Sequence, residues 1–130
     1  LARAIHAVIT DYHPGGAVVE LPSGGAQGAR ANRAMGMATG VVAAALEIAR
    51  VPVEWVTPGD VKRAAAGRKD ASKEDVQRAV LRHFEGSTGP AGSPKWMAEH
   101  VCDAAGALLA ARDGLLMRAL AIVGERSEAG

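Results

Sequence analysis

Apolar residues recur along this chain with two different periods. Leu1, Ile5, Val8 and Ile9 fall at helical spacing, and the turn-formers of Asp11-Tyr12-His13-Pro14-Gly15-Gly16 end that pattern. Ala17-Val18-Val19-Glu20-Leu21 is then apolar at nearly every position, as strands buried in a parallel sheet are. After the loop Pro22-Ser23-Gly24-Gly25 the pattern predicts a long helix over 26–50, and then a second strand over 51–56 that carries Trp55. Helix, turn and buried strand in alternation is the rhythm of an α/β domain.

The second half reads as helices with clear start signals. Thr57-Pro58-Gly59-Asp60 opens one, with Thr57 as N-cap and Pro58 in the first turn, running through Ala66. Gly67-Arg68-Lys69-Asp70-Ala71 is a basic loop. Ser72 caps a helix from Lys73 to about Phe84, with Glu74 and Asp75 in its first turn and Val76, Ala79, Val80 and His83 as its apolar stripe. The Gly/Pro/Ser/Thr-rich stretch 85–94 is expected to be a mobile loop. A small-residue helix from Glu99 to Ala111 follows, expected to carry Asp103 in its first turn and to be apolar nearly all round after it. Arg112-Asp113-Gly114 breaks the pattern, and a last helix over 115–123 ends in a frayed polar tail. There is no internal repeat.

A length of 130 residues bounds the chain to one domain with a real core. Hydrophobic content is 48% but aromatics are 3%, so Ala, Val, Leu and Met must build that core. Gly36 and Gly40, four apart in the long helix, would let another helix approach closely. The single Cys102 excludes an internal disulfide and a cysteine zinc site, and its apolar setting reads as a buried small hydrophobe. No apolar run is long enough to span a membrane and no signal peptide is present, which points to the cytoplasm.

A net charge of +1, from 15 basic and 14 acidic residues, does not announce a nucleic-acid binder; such a role must rest on local clustering. Lys62, Arg68, Lys69 and Lys73 form the densest basic group. Arg30 and Arg33 stand near the start of the long helix, where cations gain nothing from the dipole; they either meet an anionic partner or are solvated. Carboxylates beside runs this apolar need partners. Glu20 and Asp103 either meet as metal ligands or are a surface strand-end Glu and a helix-start Asp.

The order of elements resembles the RuvC family of Holliday-junction resolvases, over about Leu1 to Ala111. Three segments carry the resemblance: Val18-Val19-Glu20; Pro58-Gly59-Asp60-Val61-Lys62 with Gly67 and Ala71-Ser72-Lys73; and Cys102-Asp103-Ala104-Ala105. It implies an RNase H-like fold, a mixed sheet flanked by helices, and a structure-selective endonuclease that resolves four-way DNA junctions by metal-dependent phosphodiester hydrolysis. Glu20 and Asp103 become ligands of Mg²⁺, with Mn²⁺ as a substitute, in a two-metal site of about 4 Å spacing. Lys73 becomes a catalytic phosphate contact aided by its helix dipole, and Lys62 its companion. Arg68, Lys69, Arg30 and Arg33 become contacts to junction-arm backbone. The long helix becomes a homodimer interface, the alternative being packing onto its own sheet.

Two departures from the family pattern bear on activity. The family's first strand, with its catalytic Asp, would precede Leu1, so the chain reads as a domain whose N-terminal strands are absent. His100 stands three residues before Asp103, where bacterial resolvases often have Asp and the RuvC-type domains of RNA-guided nucleases resemble this chain. Its expected roles are metal ligand or water-positioning base, against the alternative of capping the last helix. Trp96 either stacks on a base or packs in the core, and His6, His13 and His83 have no partner pattern. Two other functions fit the same residues: a non-catalytic RuvC-like protein that binds branched DNA, or an RNase H-fold nuclease acting on another nucleic acid.

Overall fold

The computed structural model describes residues 1–22, 28–84 and 95–128, and their side chains except at 95–98 and 125–128. The expected loops over 22–25 (from Ser23) and 85–94, the start of the long helix at Ala26 and the Trp96 side chain lie outside the described residues. In chain order the elements are α1 (Ala2–Tyr12), β1 (Ala17–Glu20), α2 (Ala29–Ile48), β2 (Val53–Val56), α3 (Pro58–Ala66), α4 (Lys73–His83), α5 (Lys95–Ala111) and α6 (Leu115–Glu128).

The valine-rich runs form strands, as β-branched residues favour, and they pair in parallel with Val18 opposite Glu54 and Glu20 opposite Val56. Parallel neighbours need a crossover, which α2 supplies. Among the described residues the sheet has these two strands, so the mixed sheet implied by the resemblance is not seen among them.

One face of this small sheet carries the core. Val56, Val61, Ala71, Val76, Val80, Cys102, Ala107, Leu109 and Ala111 are buried together, with Val18 packed against them. α5 lies at the centre, against α3, α4, both strands and α6. Its small residues make this possible: a Cβ on Gly106 would stand 2.9 Å from Val61 Cγ1, so α5 and α3 approach closely there. Cys102 is the buried small hydrophobe expected, and burial, then the neighbouring Asp103 charge, pushes its thiol up.

Within the described chain a Cβ on Gly36 or Gly40 would meet nothing within 4 Å, and α2 packs against α1 with its glycine face open, so no other helix of the chain uses the close approach those residues permit. Two expectations need correction. Asp103 is not in a first turn, because α5 begins at Lys95 and has no acid in its first turn. Trp96, Met97 and Ala98 are ordinary helix residues and carry the helix upstream. His83 is exposed, outside the Val76–Ala79–Val80 stripe, and meets Phe84 edge-on with ring centroids 5.1 Å apart.

The last helix is longer than its apolar pattern, reaching Glu128. Glu54 ties its start to β2 by accepting a hydrogen bond from the Leu116 N–H at 2.8 Å. Gly114 leaves room for that carboxylate, since any Cβ there would collide with it. No described helix is long and apolar enough to cross a membrane.

Candidate active site

Two capping boxes set the entry of α3 and α4. The Thr57 N–H donates to Asp60 Oδ2 at 3.0 Å while the Asp60 N–H donates to Thr57 Oγ1 at 3.2 Å. Ser72 and Asp75 repeat the exchange at 3.3 and 3.1 Å. Each pair satisfies two otherwise orphaned donors. The Thr57 hydroxyl, which donates to Asp60 Oδ2 at 2.6 Å, and then the Thr57 N–H hold the Asp60 carboxyl below the usual range, and the Ser72 N–H and then its hydroxyl do the same for Asp75. Between the two helices Gly67, at φ 75, supplies the left-handed residue that ends α3, its N–H bonded to the Arg63 carbonyl at 2.9 Å.

Both helix starts reach one cleft of about 460 Å³. Glu20 enters from the end of β1, Pro58, Val61 and Lys62 from α3, Lys73 and Val76 from α4, and Asp103 from the middle of α5. Four expected site residues, far apart in sequence, thus share one apolar-walled site. Partial burial and, after it, the nearby Asp103 charge raise Glu20 above its ordinary value, so the two carboxylates feel each other. Lys73 Nζ stands 3.9 Å from Asp103 Oδ2 and 3.8 Å from Glu99 Oε2.

Other expected residues lie elsewhere. His100 is exposed inside α5, not at its start, and does not line the cleft. Arg68 is engaged by Asp70 at 3.5 Å and Asp75 at 2.8 Å. Lys69 is exposed beside it, and Arg30 and Arg33 are exposed at the start of α2. Glu99 was not among the expected residues; its signal is its place four before Asp103, on the same helix face.

Two mutually repelling carboxylates beside lysines suit a hard divalent ion, which needs one or two carboxylates and completes its shell with water and phosphate oxygens. Among the described residues no group of three His, Cys, Asp or Glu side chains could hold a metal, so His100 does not complete a set with Glu20 and Asp103.

No family model matches the chain. No curated protein matches it either. Solved structures do. The Thermus thermophilus RuvC structure is 27% identical, with a TM-score of 0.68 over 87% of this chain and 66% of that one. T. thermophilus RuvC in complex with Holliday junction substrate is 28% identical, with a TM-score of 0.69 over 89% of this chain and 66% of that one.

The fold resembles RuvC.

This chain therefore spans just under two thirds of the length of the RuvC chains it matches. Within that RuvC-like frame the cleft lies where a strand end, two capped helix starts and the middle of a buried helix converge.

Proposed function

We propose that this chain acts as a structure-selective nuclease that nicks four-way DNA junctions. One observation carries the proposal: Glu20, Lys62, Lys73 and Asp103 line a single cleft in a fold that resembles a protein solved with a Holliday junction. Glu20 and Asp103 would hold Mg²⁺ or Mn²⁺ through hard oxygen donors. When bound, such an ion lowers the pKa of its water and offsets charge on the attacked phosphate. Lys62 and Lys73 then hold the phosphate by charge, and Lys73 does so at the start of α4, where the helix dipole adds to the attraction. Although His100 does not line the cleft, it lies one turn before Asp103 and among the described residues belongs to no three-ligand cluster, so of its two expected roles we propose water positioning rather than metal ligation. Lys69, Arg30 and Arg33, and Arg68 when released by its acids, serve the junction arms through backbone phosphates.

We also propose a homodimer through α2. Met37, Val41 and Ile48 are exposed on that helix, beside the open Gly36–Gly40 face. A second reading has one observation in its favour: with two clustered carboxylates among the described residues, the chain would bind branched DNA without cutting it.

Cleavage of an end-labelled synthetic four-way junction in Mg²⁺ tests the proposal on the full-length protein beside Glu20→Gln and Asp103→Asn. Paired symmetric nicks that fall by two orders of magnitude or more in both variants, about 3 kcal/mol of barrier, are expected. Tight junction binding with no cleavage in either Mg²⁺ or Mn²⁺ would move the assignment to the binding protein.

A further inference from the structure

Lys73 occupies the first turn of α4, where a cation opposes the helix dipole, yet its side chain crosses to two acids of α5. Nζ lies 3.8 Å from Glu99 and 3.9 Å from Asp103. A committed charged hydrogen bond is about 2.7–2.9 Å long, so the ammonium is shared between them. Glu99 and Asp103 sit at i and i+4 and present their charges to the same side. Asp103 lines the cleft and Glu99 does not.

A divalent ion held by Asp103 would compete with this ammonium for the same carboxylate. We infer that Glu99 is a positioning residue for Lys73, giving the ammonium a place to stay when a divalent cation takes Asp103; this rests on the proposed role of Asp103 as a cation ligand. With Glu99 present, Lys73 leaves Asp103 at small cost and remains at the cleft rim, where a phosphate oxygen meets it. With Gln at position 99, Asp103 is the lysine's one anionic partner of the two, and an incoming cation must displace it outright. The side chains of Lys73, Glu99 and Asp103 are 55%, 41% and 49% exposed, so the effect has the size of a solvated ion pair.

The test measures Mn²⁺ binding to the full-length protein without DNA, counting free ion by its electron paramagnetic resonance signal. Glu99→Gln is expected to weaken binding roughly two- to five-fold, the range of one exposed pair. Glu99→Asp, which keeps the charge, is expected to restore most of the loss. Lys73→Gln is expected to tighten binding by removing the competitor. In the Lys73→Gln background, Glu99→Gln is expected to change nothing. A further loss in that double variant would mean that Glu99 acts directly on the ion, and would overturn the positioning role. So would wild-type affinity in Glu99→Gln alone. Asp103→Asn separates the two levels: if it leaves Mn²⁺ binding unchanged, the ligand assignment itself fails, whatever Glu99 does.

Discussion

Replacing Gly106 with Ala probes the contact on which the cleft is built. The new Cβ would stand 2.9 Å from Val61 Cγ1, 3.7 Å from Val80 Cγ2 and 4.0 Å from Val76 Cγ1. Carbon atoms rest at about 3.5–4.0 Å, so the latter two contacts are comfortable and the first is not. Val61 is 6% exposed and β-branched, with essentially one helical rotamer, so it does not swing aside. α5 and α3 must separate by several tenths of an ångström. Overpacking of this kind costs about 1–3 kcal/mol, against a helix-propensity gain of about 1 kcal/mol for Gly→Ala. Gly106→Ala is therefore expected to destabilise by up to about 2 kcal/mol, the balance of those two terms. Gly36→Ala and Gly40→Ala, which meet open space, are expected to stabilise by about 0.5–1 kcal/mol each. Urea titration and thermal melting read the difference, with roughly 4 °C in Tm per kcal/mol for a chain of this size. Val61→Ala combined with Gly106→Ala should recover part of the loss as a favourable coupling. If Gly106→Ala stabilises as much as Gly36→Ala does, the close crossing of α3 and α5 is refuted.

Ser72→Ala removes the acceptor of the Asp75 N–H and is expected to cost about 1 kcal/mol in urea titration; an unchanged midpoint would mean that water caps α4 equally well. Glu20 carries a sign-specific pH dependence. Its carboxyl is raised above the ordinary 4.5 by burial and Asp103, so its charged form is disfavoured in the folded state. Its contribution to stability is full below the unfolded value and is lost as pH climbs through the raised folded value. Melting curves from pH 4 upward should show Glu20→Gln lacking part of the decline seen in the wild type, and identical slopes would refute the repulsion.

Much of this fold is written locally. The caps at Thr57 and Ser72 are side-chain-to-backbone exchanges over three residues, so they could be read without tertiary knowledge, and both form as expected. The apolar run at Ala17–Leu21, interrupted only by Glu20, called for a strand in a parallel pair, and β1 pairs in parallel with β2, though half-buried rather than buried. The stripe of Val76, Ala79 and Val80 is buried because helical period alone puts those residues on one face. Glu20, Lys62, Lys73 and Asp103 were each legible as candidates, from chemistry and resemblance, but nothing local could bring them to one cleft. That convergence depends on α5 crossing α3 at Gly106 and on α5 packing against β1, contacts between residues tens of positions apart. A glycine grants close approach while the topology chooses what approaches: Gly106 has α3 against it, whereas Gly36 and Gly40 meet nothing within the described chain. The same limit misplaced one residue. Asp103 looked like a helix-start acid until the helix was seen to begin at Lys95, which leaves it in the middle of α5 with Lys73, not the dipole, as its counter-charge.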